Sequence, residues 1–274
     1  MKWIATFNAR LLKSLNAPPG ASPLLQKALN SAVLGAGKRL RPRFVYESGT
    51  LFHLPDEAIL HCAIAVESVH LFSLIHDDLP ALDNDDFRRG QPTLHREFDE
   101  ATALLAGDEL LNHAYANLAA AGEESHPGAL AQAFRFFSHC TGRSGMIGGQ
   151  MLELELLHRS TAPSLAELSH VQNLKTGALF RAAILLPAIL SGEDENSSRF
   201  AALEQFAHDF GFAFQIADDL EDESQDQSQS RKNILSHLGR KPAIDLALSN
   251  LKRHEIGERF SATRILMDLI SSKS

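Results

Sequence analysis

Cysteine is nearly absent from this chain. Cys62 and Cys140 are the only two, and they lie in separate apolar segments without metal-ligand spacing. They read as buried, reduced thiols of a cytoplasmic protein. Positive charge is in deficit: 26 Lys and Arg face 34 Asp and Glu, a formal net charge of −8. That balance argues against a nucleic-acid partner. The long apolar stretches are all interrupted by charged or histidine residues, so none reads as stably inserted in a membrane. Residues 1–15 mix apolar side chains with Lys2, Arg10 and Lys13, and no small-residue cleavage site follows, unlike a signal peptide. No internal repeat or domain linker is visible. The 274 residues suffice for one large core and are expected to form a single domain, 1–274.

Strand-like alternation is also scarce. Apolar residues recur instead at i, i+3, i+4 and i+7, so the expected fold is all-α. Helices are expected over 3–15, 24–34, 57–78 and 101–118, and through Phe134–Phe137. A capping box, Ser164 with Glu167, should open another that runs towards Leu186, with Pro187 and Ser191-Gly192 ending the segment. Others are expected from Arg199 onward, over 242–253 and over 258–270. The 57–78 segment is apolar almost all round and should be central and buried.

Two acid clusters stand out against this background. Residues 74–90 read LIHDDLPALDNDDFRRG, with Asp77, Asp78, Asp83, Asp85 and Asp86 crowded together and Arg88-Arg89 directly after. Like charges at that density raise one another's pKa or separate, unless a cation joins them. Hard oxygen donors suit Mg²⁺, which usually shares substrate phosphate oxygens. Pro80 should break the helix and let a loop bring Asp83 back beside Asp77. The second cluster is Asp218-Asp219-Leu220-Glu221-Asp222. Val66, His70, Ser73 and Asp77 fall at i, i+4, i+7 and i+11, and so do Gly211, Gln215, Asp218 and Asp222. Two polar stripes, each ending in acids, suggest clusters that face each other around a diphosphate. Solvated charge runs are the alternative.

Basic residues complete the pattern. Gly35-Ala36-Gly37-Lys38-Arg39-Leu40-Arg41-Pro42 puts three cations at a helix start, where they oppose the macrodipole unless an anion binds there. A solvated basic turn is the other reading. His70 is either a core histidine or part of a site. Gly148-Gly149-Gln150 brings small residues to a helix and suggests close approach. Glu153 and Glu155 behind it are either site residues or solvated charges. Lys175-Thr176-Gly177 sits in an apolar stretch, where a lysine meets an anion or snorkels outward. Residues 223–230 are polar and read as mobile.

These motifs resemble those of the trans-isoprenyl diphosphate synthases, specifically the short-chain bacterial farnesyl diphosphate synthase type. GKRLRP at 37–42, the first aspartate-rich motif with its trailing RRG, GGQ at 148–150, KTG at 175–177 and FQIADD at 214–219 appear in the family's order. The resemblance implies an all-α bundle of the isoprenoid synthase type with a central cleft, and a cytoplasmic homodimer. It implies two substrates, isopentenyl diphosphate and an allylic diphosphate, and three Mg²⁺ ions. Asp77, Asp83 and Asp218 would hold the metals, with Asp78, Asp219 and Asp222 in support. Arg88, Lys175, Thr176, Gln215 and Lys232 would lie at the allylic diphosphate. Lys38, Arg41, His70 and Arg89 would take isopentenyl diphosphate. Phe72 and Ser73 occupy the positions that limit chain length in the family, and Phe72 suits a farnesyl product.

Three departures accompany the match. Asn84 replaces an Asp common in close relatives, Glu153 an Asp after GGQ, and the segment after Asp222 lacks the usual Gly-Lys-x-Thr. A terpene cyclase would share the acid motifs but has no need of a second diphosphate site. A non-catalytic prenyl-diphosphate-binding subunit and a geranylgeranyl or other-length synthase are the remaining alternatives.

Overall fold

The computed structural model describes residues 2–35, 37–225 and 233–273. Its chain contacts fall into two compact units, Met1–Tyr46 with Pro55–Ser125, and Glu47–Leu54 with His126–Ser274.

The first unit holds α1 (Lys2–Ser14), α2 (Pro23–Leu34), the first half of α3 (Leu40–Leu51) and α4 (Asp56–Asp77). A hairpin of β1 (Phe87–Arg88) and β2 (Gln91–Pro92) follows, then α5 (Leu94–Glu97) and α6 (Glu100–Glu123). This hairpin is the only strand pairing among the described residues. The centre of the unit is α4, packed chiefly against α6. Burial on all sides explains its lack of a polar face. By length and hydropathy alone α4 could cross a membrane, and so could residues 165–190. Yet 78% and 72% of those windows are buried inside the protein, so both are accounted for as core helices.

Two buried polar groups interrupt that core. Glu67 and Arg39 form an ion pair with both side chains 4% exposed. Arg39 Nε also donates to Asn8 Oδ1 at 3.0 Å, and Nη2 donates to the Val33 carbonyl at 3.0 Å. A second network joins His61, Asn117, His113 and Ser68 between α4 and α6. At the far end of α4, His76 lies where a side chain at Gly107 would stand, so α6 needs a glycine there.

The second unit holds α7 (Ala129–Thr141), α8 (Met146–His158), α9 (Leu165–Gln172), a π turn (Asn173–Gly177), α10 (Ala178–Leu190) and α11 (Ser198–Gln225). It ends with α12 (Ile234–Leu238), α13 (Arg240–Lys252), a 3₁₀ turn (Glu255–Arg259) and α14 (Ser261–Ser272). The Ser164–Glu167 capping box opens α9 as expected. Of the two stops read for this segment, Pro187 does not end α10, whereas Ser191-Gly192 does. The helix continues to Leu190 with Pro187 inside it and nearly every residue buried. The Ser48 hydroxyl donates to the Ile184 carbonyl at 2.7 Å, next to the bond that proline cannot make. Burial on nearly every side carries the helix through. Phe180, Phe210 and Phe214 cluster between α10 and α11. Asp209 is clamped by Arg253 and His254, which ties the end of α13 to α11. Cys62 and Cys140 are both free and buried, as read. The helix α11 runs three residues into the stretch read as mobile, ending at Gln225. Positions 226–230 of that stretch lie outside the described residues.

Candidate active site

In the first unit the acid motif begins where α4 stops. The Asp78 N–H donates to the Leu74 carbonyl, and the chain then turns at Pro80. The Asp83 N–H donates to the Asp77 carbonyl at 2.9 Å, so the loop folds Asp83 back beside Asp77 as expected. Asn84 adopts φ 53°. Asn enters that left-handed region more readily than most residues, which accounts for its tolerance in this loop.

The trailing RRG is a tight hairpin that the sequence reading treated only as loop. Phe87 pairs with Pro92 and Arg88 with Gln91. Arg89 and Gly90 between them have φ 54° and 77°, the pattern of a type I′ turn. The turn sends the two arginines to different places. Arg88 Nε donates to Asp78 Oδ1 at 2.6 Å, and Nη2 lies 3.5 Å from Asp85. Asp78 is 4% exposed, and burial raises its pKa against the opposing pull of Arg88. Asp78 therefore anchors Arg88 from inside.

Arg89 instead lies over Gly37. A Cβ at residue 37 would stand 2.5 Å from its guanidinium carbon, so the absence of a side chain there lets Arg89 take this place. The contact joins GKRLRP to RRG. His70 belongs to the same group, with Arg41 Nη1 3.5 Å from its Nε2. Desolvation first, then Arg41 and Arg89, hold the His70 pKa well below the ordinary imidazole value. Arg39 turns away from this group into its pair with Glu67.

The low His70 pKa has a stability consequence. The unfolded imidazole takes up a proton near pH 6.5, the folded one only at much lower pH. Between those values the unfolded state binds more protons, so stability is full above about pH 6.5 and falls as pH drops below it. His113, also lowered chiefly by burial, contributes with the same sign. His70→Gln should flatten the fall in urea midpoint between pH 7.5 and 5.5. An unchanged slope would contradict this account.

In the second unit three glycines bring helices close to the π turn. Gly149 of α8 faces the Lys175 backbone, and a Cβ at Gly211 of α11 would stand 3.0 Å from the Gly177 Cα. A π turn inserts one residue into the helix and disturbs the ordinary hydrogen-bond ladder at that point, a feature common at functional sites. Lys175 and Thr176 lie in it. Lys175 Nζ pairs with Glu153 Oε2 at 2.6 Å. On α11, Gln215 Nε2 donates to Asp219 Oδ1 at 2.9 Å, and the Ile234 N–H donates to Asp219 Oδ2 at 3.1 Å. Asp219 is 4% exposed and fixes the Gln215 amide from inside, much as Asp78 fixes Arg88. Asp218 is half-buried. The Asp222 side chain and Lys232 lie outside the described residues.

The sequence profile of polyprenyl synthetases matches residues 22–243. The chain belongs to the polyprenyl synthetase family. Among the family's characterised members, the farnesyl diphosphate synthase of Haemophilus influenzae is 40% identical over 208 residues, 76% of this chain and 68% of that protein. An FPP/GFPP synthase structure from Zymomonas mobilis covers 98% of this chain and 94% of its own, with 33% identity and a TM-score of 0.86. A Helicobacter pylori geranyltransferase, solved with magnesium and isoprenyl diphosphate, covers 99% and 95% at 26% identity and a TM-score of 0.77. The all-α fold is thus that of the polyprenyl synthetases, as the motifs implied.

The donor set fits Mg²⁺. In the first unit Asp77 and Asp83, which the loop brings together, offer carboxylate oxygens, the hard ligands that ion prefers. Among the described residues no three acid, histidine or cysteine side chains already converge on one point. Mg²⁺ does not require such a cage, because waters and substrate phosphates complete its shell.

Proposed function

We propose that this chain is a Mg²⁺-dependent prenyltransferase that joins isopentenyl diphosphate to dimethylallyl or geranyl diphosphate, giving farnesyl diphosphate and free diphosphate. The observation that carries this reading is Arg89 lying over Gly37. It unites two basic motifs with His70 in addition to the acid motifs. A protein that handles a single diphosphate has no need of that second basic group.

Lys38, Arg41, His70 and Arg89 bind isopentenyl diphosphate. Neutral His70 can share a proton with a phosphate oxygen without losing its place among the arginines. Asp77, Asp83 and Asp218 would hold the Mg²⁺ ions, which supply positive charge to the leaving diphosphate. Arg88 and Lys175 add fixed positive charge there, and preorganised charge of this kind is a large part of catalysis. Asp78 and Asp219 act from behind, through Arg88 and Gln215. As the allylic C1–O bond breaks, its electron pair leaves with diphosphate. Backbone oxygens at Lys175 and Thr176, and the amide oxygen of Gln215, face positive charge better than any cationic side chain would. Exclusion of water protects the allylic cation. The isopentenyl double bond then attacks C1, and the proton released passes to the departed diphosphate. We further propose three Mg²⁺ ions, a homodimer, a cytoplasmic location and one catalytic domain over 1–274, with Asp222 and Lys232 in supporting places.

Phe72 sets the product length in this proposal. It is 7% exposed and packs edge-on against His76, with ring centroids 4.7 Å apart. On the helix it lies roughly 140° from Asp77, so its role rests on the family resemblance and not on a shared face. Ser73, whose hydroxyl donates to the His70 carbonyl at 2.9 Å, is the smaller neighbour at this level. With isopentenyl and geranyl diphosphate, the wild type should give a C15 product and Phe72→Ala products of C20 or longer. Unchanged length in Phe72→Ala would remove Phe72 from this role. The Zymomonas relative described as an FPP/GFPP synthase supports a longer product as the second reading.

A further inference from the structure

Gly149 and Glu153 lie i and i+4 on α8, and both meet residue 175. A Cβ at Gly149 would stand 2.8 Å from the Lys175 Cα, so only glycine allows α8 to settle on the π turn. One helical turn later, the Glu153 carboxylate holds the Lys175 ammonium at 2.6 Å. The same helix face therefore fixes the backbone of residue 175 and binds its charge. The two side chains are 25% and 34% exposed, so the pair can open without burying an unpaired charge.

We infer, on the prenyltransferase reading above, that Glu153 is a positioning residue that competes with diphosphate for Lys175. It orders the ammonium in the free protein and takes it back as product diphosphate leaves. A diphosphate that engages Nζ must either displace Glu153 or accept a carboxylate beside its own negative charge. Both lower diphosphate affinity. Tight binding shared equally by ground and transition states does not raise turnover, and a released diphosphate that stays bound blocks the next cycle.

The test is calorimetric titration of Mg²⁺-diphosphate into wild type, Glu153→Gln, Lys175→Gln and the double variant. Glu153→Gln should bind about fivefold more tightly, the scale of a partly exposed ion pair. Lys175→Gln should bind more weakly than wild type. In that background the Glu153 change should alter affinity by less than about twofold, because the two residues act as a coupled pair. Glu153→Asp keeps the charge and should stay within about twofold of wild type. A parallel assay should show Glu153→Gln inhibited by lower concentrations of added diphosphate, with kcat falling more than KM rises. Weaker diphosphate binding by Glu153→Gln would make Glu153 a ligand of the metal–diphosphate and overturn the inference. Unchanged binding would overturn it too, since the pair would then be idle. Failure of the wild type to bind Mg²⁺-diphosphate would reject the reading of the site itself and the inference with it.

Discussion

Replacement of Asp77 by Ala is expected to lower turnover by about a thousandfold, the upper range for losing one preorganised charge at a reacting centre. The fold should survive. The bond that shapes the loop runs from the Asp83 N–H to the Asp77 carbonyl, and alanine keeps that carbonyl. Asp77 is the last residue of α4, where a negative side chain opposes the helix dipole. Its removal should therefore leave thermal stability unchanged or slightly raised. Asp86 is the internal control. Its carboxylate meets Arg96 at 2.5 Å on the surface, with both side chains at least half exposed. Asp86→Ala should keep turnover within a few-fold. Steady-state rates and melting curves of both variants separate the cases. A stable Asp77→Ala protein with wild-type turnover would contradict the metal assignment.

Replacement of Glu67 by Ala should cost the fold about 3–5 kcal/mol, the range for stranding one member of a buried ion pair. Arg39 would keep its bonds to Asn8 and Val33 but lose its carboxylate partner. Arg39 also has φ 50°, a left-handed backbone that costs energy for any residue with a Cβ and persists only when its surroundings hold it. Loss of Glu67 should therefore loosen the loop that carries Lys38 and Arg41, and raise KM for isopentenyl diphosphate at temperatures where the protein remains folded. Glu67→Gln keeps a hydrogen-bond acceptor and should cost less. Urea unfolding measures both variants. A Glu67→Ala midpoint equal to wild type would show that the pair contributes nothing.

The helices were legible because burial on this chain follows helical period, and α4 announced itself by lacking a polar face. The return of Asp83 to Asp77 was legible because Pro80 cannot continue a helix. Pro187 misled for the opposite reason. Its local penalty was visible, but the packing that buries α10 on nearly every side comes from elements distant in the chain. The π turn and the type I′ hairpin depend on close approach and positive φ, which periodicity does not encode. Gly90 alone hinted at the hairpin.

The site shows the same division. The residue types were readable, but their inward or outward orientation was not. Asp77 with Asp78, and Asp218 with Asp219, are adjacent acids whose neighbours on a helix point about 100° apart. In each pair the second is buried and anchors a basic or amide side chain. Glu67 was the missed signal: a carboxylate in an otherwise apolar helix demands a buried partner, and Arg39 in the basic loop was the candidate. Glu153 was noticed as a departure, but its partner Lys175 is 22 residues away and emerges only with the glycine contact.

The most direct test is the reaction itself. Purified protein with Mg²⁺ and isopentenyl diphosphate would be given dimethylallyl diphosphate or geranyl diphosphate, and the dephosphorylated products identified by mass. Farnesol from both primers is the expected result. No condensation from either primer, in a folded protein that binds Mg²⁺-diphosphate, would contradict the account and mark the chain as a non-catalytic binder.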